Sequence, residues 1–236
     1  MSSLVEAELV CAGYGRREVV HGASISLGRG QLTAMLGHNG AGKSTLLKAM
    51  MGLIPLRGGA VRLDGREVGG LGTAKRVELG MTMVPQIGNV LPDLSVTENL
   101  AMSAHARYKS AGDRSAALDG AYAEFPMLKE RARQPARNLS GGQRQMLALA
   151  IALLKEPSAL LLDEPSLGLS PAAAWRLFEK IVSIVEEHST AVLIVEQNVR
   201  DVLRIAKNAY VMDSGRITMY ESSETILSSE DIFAFL

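Results

Sequence analysis

Apolar and polar positions along this chain change their spacing several times, and each change predicts an element. Ala159 to Leu162 and Ala191 to Val195 are unbroken apolar runs, the signature of strands buried on both faces, as in a parallel sheet. Gln31 to Leu36 reads as a shorter buried strand. Val5 to Val10 alternates instead, and Val19 to Leu27 is a second candidate strand, ended by Gly28-Arg29-Gly30. Gly58-Gly59 opens a hairpin-like piece from Ala60 to Gly65, and Thr82 to Gln86 reads as a strand ending at a glutamine.

Helical spacing takes over in other stretches. Leu46, Leu47, Met50 and Met51 share one face of a helix from Ser44 to Met51, which Gly52 and Pro55 stop. Met146, Leu149, Ala150, Leu153 and Leu154 do the same from about Gln143 to Lys155, with Ser140 as a natural N-cap. Ser170-Pro171 caps a third helix, which runs to His188 with Leu177, Ile181, Ile184 and Val185 facing inward. A helix through Val199, Val202, Leu203 and Ala206 leads to strands at Ala209 to Met212 and Ile217 to Tyr220. A short C-terminal helix with Ile232, Phe233 and Phe235 is expected to pack on the body.

Pro92 to about Arg137 has another texture. Helical segments at Val96 to Tyr108 and Arg114 to Phe125 are rich in alanine and charge, and Gly112, Pro126 and Pro135 punctuate them. The whole is an α/β chain with a small α-helical subdomain inserted at 92–145. The remainder, 1–91 and 146–236, forms the core of one domain.

Composition narrows the function. Lys+Arg and Asp+Glu are both 25 in 236 residues, so the net charge is zero, which removes the broad basic footprint of a nucleic-acid binder. Lys129, Arg131, Arg133 and Arg137 cluster modestly and read as a solvated face. The single cysteine, Cys11, excludes an intramolecular disulfide and a thiolate metal cluster, and reads as a small core residue on a strand. The longest apolar run, Met146 to Leu154, falls far short of the ~20 residues that span a bilayer. The N-terminus has no basic stretch followed by an apolar one, so no signal peptide is expected. The expected location is cytosolic, with any membrane link made through a partner.

The chemistry concentrates in three motifs. Gly37-His38-Asn39-Gly40-Ala41-Gly42-Lys43-Ser44-Thr45 matches G-x-x-x-x-G-K-[ST], between a predicted strand and a predicted helix. Its glycines let backbone N–H groups close on phosphate oxygens at a helix N-terminus. Lys43 is expected to reach the outer phosphates of a nucleotide, and the Ser44 hydroxyl to face Mg²⁺. Leu139-Ser140-Gly141-Gly142-Gln143 is a second glycine-rich helix start suited to an anion. The third motif is the run ending in Asp163-Glu164-Pro165. It places two carboxylates at the C-terminal edge of a buried strand, where α/β sheets bind ligands, and so predicts a Mg²⁺ site. Tyr14, flanked by Gly13 and Gly15, offers a flat face on which a base can stack or which can simply pack.

Together these motifs resemble, over nearly the whole length, the nucleotide-binding subunit of ATP-binding-cassette (ABC) transporters. The parts fall in family order: the Tyr14 turn, the phosphate loop, Gln86, the Leu139–Gln143 signature, Asp163-Glu164, and the loop Ser166 to Pro171. The resemblance implies a P-loop NTPase core with a mixed β-sheet flanked by helices, an N-terminal antiparallel β subdomain and the inserted helical subdomain. Tyr14 would stack on adenine, Gly37 to Thr45 would wrap the phosphates of ATP, and Ser44 and Gln86 would reach Mg²⁺, with Asp163 holding it through water. Glu164 would polarise the attacking water. Two such subunits, alike or different, would pair head to tail, so Ser140, Gly141, Gly142 and Gln143 would bind ATP held by the other. The further partners implied are transmembrane permease subunits and, through them, a periplasmic or lipid-anchored substrate-binding protein. That makes the chain peripheral on the inner face of the cell membrane, with no nucleic-acid partner. The segment Ile87 to Val96, with Leu91, Pro92 and Leu94, is the candidate permease contact, with ordinary packing in the subdomain as the alternative.

Two positions depart from the family. Gln197 stands where most members carry a histidine that contacts the γ-phosphate, and Ser170 where an aspartate is usual. Glutamine still donates a hydrogen bond but cannot become cationic. Ser166-Leu167-Gly168-Leu169-Ser170-Pro171, Val195-Glu196-Gln197-Asn198 and Gln145-Met146-Leu147-Ala148 look like the branched-chain (hydrophobic) amino-acid uptake ATPases, a pattern shared by importers of urea or short amides. The expected activity is transport-coupled ATP hydrolysis. A soluble ATPase of the same superfamily is the alternative, and it would be expected to join two cassettes or carry a long coiled coil.

Overall fold

The computed structural model describes residues 3–87 and 90–229. The expected C-terminal helix with Ile232, Phe233 and Phe235 lies outside them, as do Gly88 and Asn89 of the candidate permease contact.

The chain opens with a long hairpin, β1 (Ser3–Tyr14) and β2 (Arg17–Gly28), then β3 (Leu32–Leu36) and α1 (Lys43–Met50). β4 (Leu56–Leu63), β5 (Arg66–Glu67), α2 (Thr73–Glu78) and β6 (Met81–Val84) follow. Next come α3 (Val96–Arg107), α4 (Ala111–Glu124), α5 (Pro126–Lys129), a 3₁₀ turn at Ala136–Asn138 and α6 (Gly141–Leu153). β7 (Ala159–Asp163), α7 (Pro171–His188), β8 (Ala191–Val195), α8 (Val199–Ile205), β9 (Asn208–Asp213), β10 (Arg216–Ser222) and α9 (Ser223–Ser228) complete it.

Two sheets result. The first is antiparallel, in the order β2-β1-β4-β5. The second runs β10-β9-β3-β8-β7-β6, parallel except for β10 at its edge. The parallel strands are the predicted apolar runs, and both of their faces are buried. Leu160, Leu162, Val192 and Ile194 enter a core shared with α3, α6 and α7. Ala159, Leu161, Leu193 and Val195 point the other way, into a core shared with α1 and the antiparallel sheet. Each such fully buried leucine or valine contributes roughly 1.5–3 kcal/mol. Because β3 lies between β8 and β9, the loops leaving β3, β6, β7 and β8 gather along one edge of the sheet.

Several elements depart from the sequence reading. β1 is longer than its alternating stretch and bulges at Leu9, which has φ 48° and is exposed. Gly59 takes φ 79° opposite the bulge, where a Cβ would stand 2.3 Å from the Leu9 carbonyl oxygen, so Gly58-Gly59 lie inside β4 and do not open it. Tyr14 ends β1 and does not sit in the turn. Cys11 is only half-buried. Helix α2 goes unpredicted because only six residues form it, too few to show a period. Ser170 occupies the N-cap of α7, but its hydroxyl makes no capping bond; its carbonyl receives the N–H groups of Ala173 and Ala174 instead.

Candidate functional site

The loop between β3 and α1 is held from behind by the turn joining β9 to β10. The Gly215 N–H donates to the Ala41 carbonyl at 2.8 Å, and the Gly215 carbonyl accepts from His21 N–H at 2.8 Å. At Gly37, φ is 142° and a Cβ would lie 2.1 Å from the Met212 carbonyl oxygen, so only glycine fits. Gly42, with φ 108°, caps α1 and turns the first N–H groups of the helix toward the loop. His38, Asn39 and Gly40 form its exposed rim, whereas Ala41, Lys43 and Thr45 are buried.

Lys43 is 4% exposed, and its Nζ donates to the carbonyls of Gly37 (2.6 Å) and His38 (3.0 Å). Burial lowers its pKa; the nearby charges of Glu164 and Asp163 oppose that shift. The Ser44 Oγ donates to Asp163 Oδ1 at 2.8 Å, tying the loop helix to the end of β7. Asp163 is itself buried, and burial pushes its carboxyl pKa upward against the Ser44 hydrogen bond. A buried carboxylate beside a hydroxyl is a pair of hard oxygen donors short of positive charge, which fits Mg²⁺.

Glu164 follows in a left-handed backbone conformation, φ 49°, costly for a residue with a Cβ. Its N–H donates to the Val195 carbonyl at 2.9 Å, which fixes the turn against β8. Two amides converge on its Oε2: Gln86 Nε2 at 2.9 Å from the segment after β6, and Gln197 Nε2 at 2.8 Å from the segment after β8. Gln86 therefore faces Glu164, with the Ser44–Asp163 pair joined separately.

The sequence reading did not single out Glu196 for a role in the site. It is 2% exposed, and its carboxylate accepts the Ser166 N–H at 2.8 Å and the Gln197 N–H at 3.3 Å. An acid immediately after a fully apolar strand was the available signal, but one residue before Gln197 it read only as a branch marker.

Two predicted groups make no hydrogen bond to this cluster among the described residues, though Gly141 lines a cavity with Gln86 and Leu167. Tyr14 is about half exposed, and among the described residues no hydrogen bond or ring contact joins it to the loop. Ser140 starts α6 through a capping box: its hydroxyl accepts from Gln143 N–H, and Gln143 Oε1 accepts from Ser140 N–H. Gly141 and Gly142 are thus the first turn of α6 rather than a loop before it, and the box leaves their N–H groups unused. They permit close packing, since Cβ atoms there would meet Leu169 and Ala173 at 3.1 Å. Ser140, Gly142 and Gln143 open into a cavity of about 340 Å³ with Met127, Met146, Ala173 and Arg176, none of them part of the phosphate loop.

The segment from Pro92 connects this second site to Gln86. Ile87 and Leu91 are exposed, and the buried Asn99 amide grips Leu91 by both its N–H (2.8 Å) and its carbonyl (3.0 Å). Backbone bonds from Val96 to Gln134, Ala136 to Leu94 and Arg137 to Pro92 then join the segment to the turn that leads into α6.

The ABC transporter family model matches residues 20–167. The chain is similar to the high-affinity branched-chain amino acid transport ATP-binding protein BraG of Pseudomonas aeruginosa, 36% identical, with 97% of each chain covered. It is 38% identical to the probable branched-chain amino acid transport ATP-binding protein LivF of Archaeoglobus fulgidus, over 93% of this chain and 92% of that one. A nucleotide-free ATP-binding cassette from an ABC transporter shares the fold, with a TM-score of 0.88 at 24% identity, covering 99% of this chain and 98% of the other.

Proposed function

The chain belongs to the ABC transporter family as one of its ATP-hydrolysing cassettes, and from that premise we propose that it powers an importer of branched-chain, hydrophobic amino acids. The relatives' transport roles support this substrate class. The observation that carries the catalytic reading is the carboxylate of Glu164, held by two amides beside the Lys43 loop.

Each side chain then has a task. The loop Gly37–Thr45 and the N-terminus of α1 receive the phosphates of ATP, and Lys43 neutralises their charge from within. Tyr14 stacks on the adenine from the exposed end of β1. Ser44, Asp163 and Gln86 hold Mg²⁺, which on binding supplies charge to the phosphoryl oxygens. Glu164 accepts a proton from the attacking water, and Gln86 and Gln197 fix its orientation. The products are ADP and phosphate.

The signature residues Ser140 to Gln143 serve a second subunit. Ser140, Gly142 and Gln143 line a cavity to which none of Gly37 to Thr45 contributes, and they present a helix N-terminus, the feature that would close on the partner's nucleotide. On this reading 92–145 is the helical subdomain, and the apolar residues Ile87 and Leu91 dock on the permease. No helix among the described residues is long and apolar enough to cross a membrane. The membrane link on the inner face is therefore assigned to that permease.

The test is Glu164→Gln in the full chain. It should bind ATP, lose hydrolysis and accumulate as an ATP-loaded dimer by size exclusion. Hydrolysis at the wild-type rate would remove Glu164 from its role.

A further inference from the structure

Glu196 is a buried acid that no step above uses. Its carboxylate is 2% exposed and is held by the N–H groups of Ser166 and Gln197. Burying a carboxylate without a cation is costly unless its oxygens are hydrogen-bonded, so the carboxylate and its two donors hold one another in place. Those donors belong to different segments. Ser166 lies two residues beyond Glu164, and Gln197 is the residue whose side chain contacts Glu164. The Glu164 N–H bond to Val195 closes the ring from the other side.

We propose that Glu196 is a positioning residue for ATP hydrolysis: its carboxylate fastens the loop after Glu164 to the segment bearing Gln197, so that the base and its orienting amide are set by one clasp. The proposal rests on the reading of Glu164 as the group that polarises water. The clasp also carries the loop Ser166 to Ser170, whose Leu169 lies against Gly141 of the signature helix. One buried acid thus joins three segments that converge on the nucleotide sites. Unclasped, Glu164 keeps its chemistry but loses its alignment. That slows the chemical step and leaves nucleotide binding to the loop Gly37–Thr45, to which Glu196 makes no hydrogen bond among the described residues, unchanged.

The experiment is steady-state ATP hydrolysis by the full chain, with melting temperatures recorded without nucleotide. Glu196→Ala should lower kcat by at least about tenfold, the scale of a small misalignment, and keep KM for ATP within about twofold. Glu196→Gln retains an acceptor for the Ser166 N–H and should return kcat to within about threefold of wild type. Glu196→Asp draws the oxygens back by one methylene and should lower kcat at unchanged KM; it carries the test if the alanine variant does not fold. Wild-type kcat in both the alanine and aspartate variants, or a raised KM at unchanged kcat, overturns the proposal. Glu164→Gln measured alongside separates the two readings. If it still hydrolyses ATP, the assignment of Glu164 fails; if it is inactive while Glu196→Ala is normal, only the clasp fails.

Discussion

Gln197 Nε2 lies 2.8 Å from Glu164 Oε2, joining the segments that leave two neighbouring parallel strands. A neutral amide thus stands where most family members carry a histidine. It supplies a donor to the carboxylate but cannot supply a positive charge at any pH. Turnover in this protein should then depend on geometry at this position and not on its protonation.

Gln197→Ala removes that donor while leaving Gln86 on the same oxygen. It should lower kcat about tenfold or more, with a smaller effect on KM for ATP, as expected for an interaction used in the chemical step. Gln197→Glu places a like charge against Glu164 and should be worse than alanine. Steady-state kinetics on the three proteins checks the order; equal rates would make the position idle.

Lys43 pairs stability against function. Burial lowers its pKa, so its ammonium costs the folded state stability at neutral pH, where folded and unfolded chains both hold the proton. Lys43→Met keeps the bulk and removes the charge, but also the bonds to the Gly37 and His38 carbonyls, and without nucleotide should melt close to wild type. Wild type in ATP-Mg²⁺ at a hundred times Kd should gain about 2.7 kcal/mol, or roughly 5–10 °C in Tm for a domain of this size. The methionine variant should lose that gain. A retained shift would contradict the phosphate assignment.

Much of this was legible beforehand, and the reason is physical. The strands β7 and β8 are buried on both faces, which their short apolar runs between turn residues signal, and the glycines of the phosphate loop answer to close backbone approach at Gly37 and to positive φ at Gly40 and Gly42. Ser140 was readable as a cap because capping is local. What stayed hidden depends on distant partners. That Gln86 and Gln197 meet on one oxygen of Glu164 follows only from the order of β6, β7 and β8 in the sheet. Glu196 and Arg76 look like ordinary surface charges in sequence, yet each is at most 2% exposed.

The pH dependence of Glu196 has a defined sign. Burial raises its carboxyl pKa, against the hydrogen bonds from Ser166 and Gln197. The folded protein therefore takes up this proton more readily than the unfolded chain. Its contribution to stability is fully present below the unfolded carboxylate range and is lost as pH rises through the folded value. The difference in Tm between wild type and Glu196→Gln, both without nucleotide, should accordingly shift in favour of wild type as pH falls from about 7 to about 4. A difference independent of pH would mean that Glu196 titrates alike in both states.

Arg76 closes the far end of the helix that begins at Lys43. It is 1% exposed, and its guanidinium donates to the carbonyls of Ala49 and Met50 at the end of α1 and to those of Leu71 (2.9 Å) and Gly69 (2.7 Å). The carbonyls at a helix C-terminus have no partners within the helix and carry partial negative charge, so a buried cation there satisfies both needs. Burial lowers its pKa, yet guanidinium remains charged in proteins, and among the described residues no carboxylate forms an ion pair with it. Arg76→Met fills the space but takes the guanidinium away from four carbonyls, of which Ala49 keeps the Gly52 N–H at 3.0 Å, and should cost about 3–5 kcal/mol, at the upper end for single substitutions. That corresponds to a fall in Tm of roughly 6–20 °C for a domain of this size. Arg76→Lys keeps the charge without the planar fork and should recover only part of the loss. Because the damage lies at the opposite end of α1 from the phosphate loop, whatever fraction remains folded at low temperature should hydrolyse ATP with near-normal KM. Thermal melts of both variants, with KM measured well below their midpoints, decide the matter; a methionine variant as stable as wild type would show that the carbonyls of Met50, Gly69 and Leu71 find other partners.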